Sequence, residues 1–382
     1  MQETDTQCVM IIAGEASGDV HGARLVKAMK ARNPNLYFCG IGGQAMEKEG
    51  VRIVVDAKEL SVVGITEILE RAGTLLHGVM FAREVVRQIK PDLLILIDFP
   101  DFNMMVAKTA RSLGVKVLYY ISPQIWAWRQ NRVKKIKKLV DHIAVILPFE
   151  KEFYDAHEAP ATYVGHPLLD HEGSDAEPAQ KRNPNLIGLL PGSRNREVSS
   201  LLPVMLQAAA IMREQRPGLQ FVLPMAPTVD PSLVESILAR IMGEDASWVE
   251  IRQGQAREVM EQSQLVIAAS GTVTLEAALA LAPTVIVYRI SSISYLVAKA
   301  VIKVKYVGLA NLIGKKEIMP ELIQDKANPE NIAARSLEII LDPRRLSEIY
   351  RDLKEVRKLL GGPGASDKTA SIALELLGEK SS

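Results

Sequence analysis

The segment Asp98-Phe99-Pro100-Asp101-Phe102-Asn103 places two carboxylates directly after the run Leu93-Leu94-Ile95-Leu96-Ile97. A run that is apolar at every position fits a strand covered on both faces, and ligands of such sheets gather outside the carboxyl ends of the strands. Asp98, first after the strand, is placed to lose part of its water. Desolvation raises a carboxyl pKa toward that of a usable general base. Asp101 reads more simply as the N-cap of a following helix. Gly14-Glu15-Ala16-Ser17-Gly18-Asp19 closes the first apolar run and leads into helix-period sequence from about Val20. Its glycines permit a sharp turn and a close approach to a ligand, and the helix start offers free N–H donors. A tight turn with Asp19 as N-cap explains much of this. Glu15 and Ser17 are left without a structural task.

Two loops of the second half suit an anion. Leu190-Pro191-Gly192-Ser193-Arg194-Asn195-Arg196-Glu197 carries a hydroxyl and a fork-shaped cation on a glycine turn into a helix. Ala269-Ser270-Gly271-Thr272-Val273-Thr274-Leu275-Glu276 opens a second helix on Ser-Gly-Thr. Glu276 follows in the first turns, within reach of ribose hydroxyls. Either loop alone is a weak signal, since capping by Ser270 or Thr272 explains it as well. The pair in one domain points to a nucleotide diphosphate. No Asp-x-Asp motif stands near these loops. The absence of G-x-G-x-x-G argues against a nicotinamide enzyme.

Ser122-Pro123-Gln124-Ile125-Trp126-Ala127-Trp128 follows another strand-like run, and its two indoles offer flat apolar surface for a sugar or acyl chain, or else core packing. Arg129 to Lys138 holds six basic residues and no acid, with Val133, Ile136 and Leu139 as an apolar stripe. Such a helix suits an anionic membrane surface, or is a solvated face. Residues 60–81 carry more apolar side chains than one helix face requires, and Tyr295 to Tyr306 repeats the mixture with three lysines. Both fit a lipid surface or a lipid substrate.

These loops need a scaffold that presents strand ends. Nine short apolar runs supply it: Val9–Ile12, Leu36–Cys39, Leu93–Ile97, Val115–Ile121 and His142–Leu147, then Leu186–Leu190, Gln220–Leu223, Leu265–Ala268 and Thr284–Val287. Alternation with helix-period sequence predicts βαβ units and parallel sheets. His171 to Pro184, polar and without periodicity, reads as a linker. The expected division is therefore a Rossmann-like domain over 1–170, a linker over 171–184, a second such domain over 185–345, and C-terminal helices over 346–382 that pack back toward the first. The domains are expected to face a cleft.

Composition narrows the class. Lys plus Arg numbers 46 and Asp plus Glu 45 among 382 residues, which excludes a generally polybasic nucleic-acid binder. The two cysteines, Cys8 and Cys39, build neither a disulfide framework nor a zinc site, consistent with a reducing compartment. No stretch offers about 20 apolar residues without charge. A cytoplasmic protein that touches a membrane without crossing it is expected, and a second copy of the chain is a candidate partner.

Taken in order, GEASGD, DFPDFN, SPQIWAWR, LPFE (Leu147–Glu150), VGHP (Val164–Pro167), LPGSR, ASGTVTLE and LANLIG (Leu309–Gly314) span most of the chain. The ordered set resembles the lipid-A-disaccharide synthases. The resemblance implies a GT-B fold and an inverting, metal-independent glycosyl transfer without a cofactor, on the cytoplasmic face of the inner membrane of Gram-negative bacteria. The implied substrates are UDP-2,3-diacylglucosamine and 2,3-diacylglucosamine 1-phosphate (lipid X), joined by a β-1′,6 linkage with release of UDP. It assigns Asp98 as the base for the acceptor 6-hydroxyl, Arg194 to the UDP phosphates, Glu276 to ribose, and Asn311 to orienting donor or phosphate. Ser193, Ser270, Gly271 and Thr272 join the nucleotide set; Glu15, Ser17, Asp101 and Trp126 the acceptor side. A UDP-sugar epimerase of the same architecture would need neither lipid nor acceptor. A non-catalytic membrane module would leave Asp98, Arg194 and Glu276 idle.

Overall fold

The computed structural model describes residues 6–56, 68–170, 182–243, 248–290, 295 and 304–378. Of the linker expected at 171–184, residues 171–181 lie outside the described residues, as do 60–67 of the apolar stretch 60–81 and 296–303 of the segment 295–306.

Thirteen parallel strands form two sheets among the described residues. The first contains β1 (Cys8–Ala13), β2 (Tyr37–Gly42), β3 (Arg52–Asp56), β4 (Leu93–Ile97), β5 (Lys116–Tyr120), β6 (His142–Val145) and β7 (Ala161–Tyr163), in the order β3-β2-β1-β4-β5-β6-β7. The second contains β8 (Asn183–Leu190), β9 (Gln220–Met225), β10 (Val249–Gln253), β11 (Ser263–Ala269), β12 (Thr284–Tyr288) and β13 (Glu321–Ile323), in the order β10-β9-β8-β11-β12-β13. All nine apolar runs are strands. The four further strands, β3, β7, β10 and β13, are the sheet edges.

Every residue of β4 is buried. Its alternate side chains feed two cores: Leu94 and Leu96 join Met10, Ile12 and Tyr119 on one face, while Leu93, Ile95 and Ile97 join Val9, Ile11 and Leu25 on the other. Burying one such aliphatic side chain contributes about 1.5–3 kcal/mol, so the strand that ends at Asp98 is among the best anchored in its domain.

Each sheet reverses its strand order once. In the first, β1 pairs with both β2 and β4, and Ala13 lies opposite Ile97. In the second, β8 pairs with both β9 and β11, and Leu190 lies opposite Ala268. The loops carrying Gly14–Asp19 and Asp98–Asn103 thus leave adjacent strands at one switch point, and the loops carrying Ser193–Arg194 and Ser270–Thr272 leave adjacent strands at the other. Doubly wound sheets open a ligand crevice at this position.

The chain divides into one unit of residues 1–172 with 362–382 and a second of 173–361. Helix Pro343–Leu359 stays with the second unit, packed on helices Thr272–Leu279 and Leu309–Gly314. Only helix Ala365–Leu376 returns to the first, where it lies against helix Ala16–Arg32. The crossing falls at Gly361–Gly364, later than residue 346. Asp170 fixes the returning helix. Its carboxylate accepts hydrogen bonds from the backbone N–H of Gly364, Ala365 and Ser366 at 2.7, 3.0 and 3.0 Å and from Ser366 Oγ at 2.8 Å. Burial opposes ionisation of Asp170, yet these bonds hold its pKa below the usual value of 3.8.

Candidate active site

At the first switch point Asp98 and Phe99 both adopt φ of 47°, the left-handed region. Side chains with a Cβ rarely occupy it. Neighbours hold the segment there: Asn103 Nδ2 donates to the carbonyls of Ile97 (3.2 Å) and Asp98 (2.6 Å), and the Tyr119 hydroxyl donates to Asp98 O at 2.8 Å. The Phe99 ring lies over Gly14, where any Cβ would collide with it. Asp98 is half-buried. Burial, and then the charge of Glu15, raise its pKa above 3.8, against a backbone hydrogen bond from Phe99. A carboxylate so placed has a raised proton affinity, which is what a base for a hydroxyl needs.

Glu15 and Ser17 are exposed beside this loop. Helix Ala16–Arg32 starts at Ala16, earlier than the expected Val20, and its N-cap is Glu15. Asp19 is therefore not that helix's cap. It is buried and accepts the backbone N–H of Gly43, Ala45 and Met46 at 2.7, 2.9 and 3.1 Å, capping helix Gln44–Lys48 instead. Asp101 lies in the first turn of helix Pro100–Ser112, whose N-cap is Phe99, and pairs with Arg132 at 2.7 Å.

Around the second switch point lies a cavity of about 510 Å³ lined, among others, by Ser193, Arg194, Ser270, Gly271, Thr272 and Glu276. This size falls within the range of small-molecule sites. Helix Thr272–Leu279 begins at Gly271 with no side-chain cap, so neither Ser270 nor Thr272 performs the capping role and the first N–H donors remain for a ligand. Burial raises the pKa of Glu276 above 4.5. Arg194 forms an exposed ion pair with Glu197 at 2.9 Å. The Ser193 loop is tied to the loop after β9: Thr228 Oγ1 donates to Ser193 O at 2.6 Å and the Asp230 N–H to Asn195 Oδ1 at 3.0 Å. Glu197 and Thr228 escaped the sequence reading of this site, although Glu197 stands in the quoted loop.

Two expected ligand residues have other work. Asn311 is fully buried and every polar position of its side chain is spent. Nδ2 donates to Met319 O (2.7 Å) and Glu321 Oε1 (2.8 Å), and Oδ1 accepts the N–H of Ile318 (2.8 Å) and Met319 (2.9 Å). Trp126 is buried edge-on against Phe149, and its Nε1 donates to Glu150 Oε1 at 3.0 Å. The exposed indole is Trp128, over which Arg129 stacks at 4.0 Å. The apolar stripe of the basic segment also faces inward: Val133 and Ile136 are buried, while Lys134, Lys135, Lys137 and Lys138 are exposed.

Two Rossmann-like parallel-sheet domains, each with a loop cluster at its switch point, define a GT-B type fold. Solved structures of this architecture align over almost the whole chain. Acinetobacter baumannii MurG matches with a TM-score of 0.61 at 15% identity, covering 97% of this chain and 99% of its own. The UDP-N-acetylglucosamine 2-epimerase of Neisseria meningitidis, bound to UDP-GlcNAc, matches with a TM-score of 0.65 at 13% identity, covering 97% and 100%. The chain belongs to the lipid-A-disaccharide synthase family. The family model described as lipid-A-disaccharide synthetase matches residues 9–376. The lipid-A-disaccharide synthases of Geobacter metallireducens and Geobacter sulfurreducens are 44% and 43% identical, covering 97% and 100% of this chain and 98% and 100% of their own lengths. That of Coxiella burnetii (strain Dugway 5J108-111) is 36% identical over 97% of this chain and 98% of its own. The family activity is formation of the lipid A disaccharide.

Proposed function

We propose that the chain transfers 2,3-diacylglucosamine from UDP-2,3-diacylglucosamine to 2,3-diacylglucosamine 1-phosphate, giving the β-1′,6-linked disaccharide 1-phosphate and UDP. The observation that carries this reading is Asp98, held in a strained conformation at the end of β4 with raised proton affinity. In the proposed step Asp98 takes the proton of the acceptor 6-hydroxyl as its oxygen attacks C1 of the donor sugar. The bond from C1 to the UDP oxygen breaks with inversion, and the electron pair leaves on the diphosphate. Arg194 and the start of helix Thr272–Leu279 offset that charge, with no step assigned to a metal. Glu276 accepts hydrogen bonds from ribose hydroxyls. Glu15, Ser17 and Asp101 border the acceptor.

Membrane contact belongs to the same proposal. Met80 and Phe81 are exposed on helix Ile68–Ile89, and the four exposed lysines of 134–138 add attraction to an anionic surface that salt weakens. No helix among the described residues is long and apolar enough to cross a membrane. Adsorption at the cytoplasmic face of the inner membrane fits these features.

Incubating the purified protein with UDP-2,3-diacylglucosamine and lipid X, followed by mass analysis of the lipids, tests the reading. The expected product appears only when both substrates are present. Conversion of plain UDP-N-acetylglucosamine without a lipid acceptor, and no disaccharide, would mark the chain as an isomerase instead.

A further inference from the structure

The nucleotide loop after β8 already contains an anion. Glu197 Oε2 accepts the Ser193 N–H at 3.1 Å, and Glu197 Oε1 accepts from Arg194 Nη1 at 2.9 Å. The same side chain lies against Gly192, at φ +119°, where a Cβ would strike the carboxyl group. A backbone N–H on a glycine turn and an arginine fork are donors suited to a phosphate.

Glu197 is the third residue of helix Asn195–Gln215, whose N-cap is Arg194. In a capping box a glutamate at that position bonds the N-cap's own N–H. Here it reaches one residue further back, to Ser193, and also takes the Arg194 guanidinium. Ordinary capping does not call for that choice of donors. Both Glu197 and Arg194 line the cavity, and ion pairs three residues apart on an exposed helix face are weak.

We propose that Glu197 is a placeholder for the nucleotide diphosphate: its carboxylate holds the Ser193 N–H and Arg194, and an arriving diphosphate displaces it. This inference rests on the nucleotide reading of the second domain and adds a residue that sets affinity for that ligand. Holding the donors in place spares the loop a rearrangement when ligand arrives. The same carboxylate competes with UDP, so it also speeds release of that product.

Calorimetric titration of the wild type and of Glu197→Gln with UDP, uridine and inorganic pyrophosphate tests the proposal. Glutamine keeps the size and the acceptor oxygen but not the charge. The expected result is tighter binding of UDP and pyrophosphate by about three- to tenfold, the scale of one partly screened charge pair, with uridine unchanged. Equal weakening of UDP and uridine would reduce Glu197 to a helix cap and overturn the proposal. So would unchanged or weaker UDP binding alone, which would make Glu197 a fixed support for Arg194. A wild type that binds no UDP would sink the nucleotide reading, and the pyrophosphate comparison would still decide the role of Glu197. Melting temperatures of both proteins confirm that folded material is compared.

Discussion

Asn103→Ala removes two of the three side-chain hydrogen bonds on the carbonyls of Ile97 and Asp98, leaving that of the Tyr119 hydroxyl. Two successive left-handed residues other than glycine store about 2–6 kcal/mol. The two bonds from Asn103 are worth about 2 kcal/mol together, comparable to the lower end of that strain. Without them the segment relaxes toward ordinary backbone angles and swings the Asp98 carboxylate off its position. A displacement of about 1 Å costs on the order of 10²-fold in rate. The variant is therefore expected to lose about 10²-fold in kcat and about 2–4 kcal/mol of stability once the small cavity is included, while UDP affinity stays within about twofold. Single-turnover product formation at low temperature, beside UDP titration and thermal melting, measures all three. Asn103→Asp, of the same shape but with an oxygen facing two carbonyls, should be as damaging as alanine. Wild-type turnover in Asn103→Ala would refute the claim that Asn103 holds the base in place.

Other consequences concern charge. Burial, with Glu15 second, raises Asp98 above 3.8; a base must be ionised, so log kcat should climb with unit slope through the raised value and then level off, and Glu15→Gln should move the limb to lower pH. Glu276→Gln should weaken UDP about tenfold but leave a 2′,3′-dideoxy analogue little affected, as seen by titration, because the lost interaction is with ribose hydroxyls. Burial also pushes Glu150 from 4.5 up to about 7, against hydrogen bonds from the backbone of Leu147 and Ile146 and from Trp126 Nε1. A folded-state value above the unfolded one means that stability from this group is fully present below 4.5 and is lost as pH rises through 7; Glu150→Gln should flatten that pH dependence in denaturant titrations.

The strands that form the middle of each sheet were legible because burial on both faces demands unbroken apolar runs, as in Leu93–Ile97. The four edge strands were not. Three carry charge, Arg52 in β3, Glu250 and Arg252 in β10 and Glu321 in β13, and β7 is only three residues long, since an edge has less need of an apolar run. A role in the loops is proposed from sequence where the residue type has few structural uses, as for Asp98 and Arg194. Asn311 and Trp126 misled because an amide and an indole serve equally well as internal clamps. Their partners, Glu321 and Glu150, stand 10 and 24 residues away, and no local pattern joins them. Asp19 shows the same effect: an aspartate at a helix start is ordinarily its cap, yet it serves the helix after β2. The left-handed backbone at Phe99 left no signature, since an aromatic side chain rarely adopts it, whereas aspartate, as at Asp98, does so more often.

In the proposed reaction Asp98 removes the acceptor proton while a separate domain holds the nucleotide. The decisive measurement is Asp98→Ala, assayed for disaccharide formation with UDP-2,3-diacylglucosamine and lipid X and titrated in parallel with UDP. The expected result is a loss of about 10²-fold or more in turnover with UDP affinity retained. Near-normal turnover in that variant would contradict the assignment.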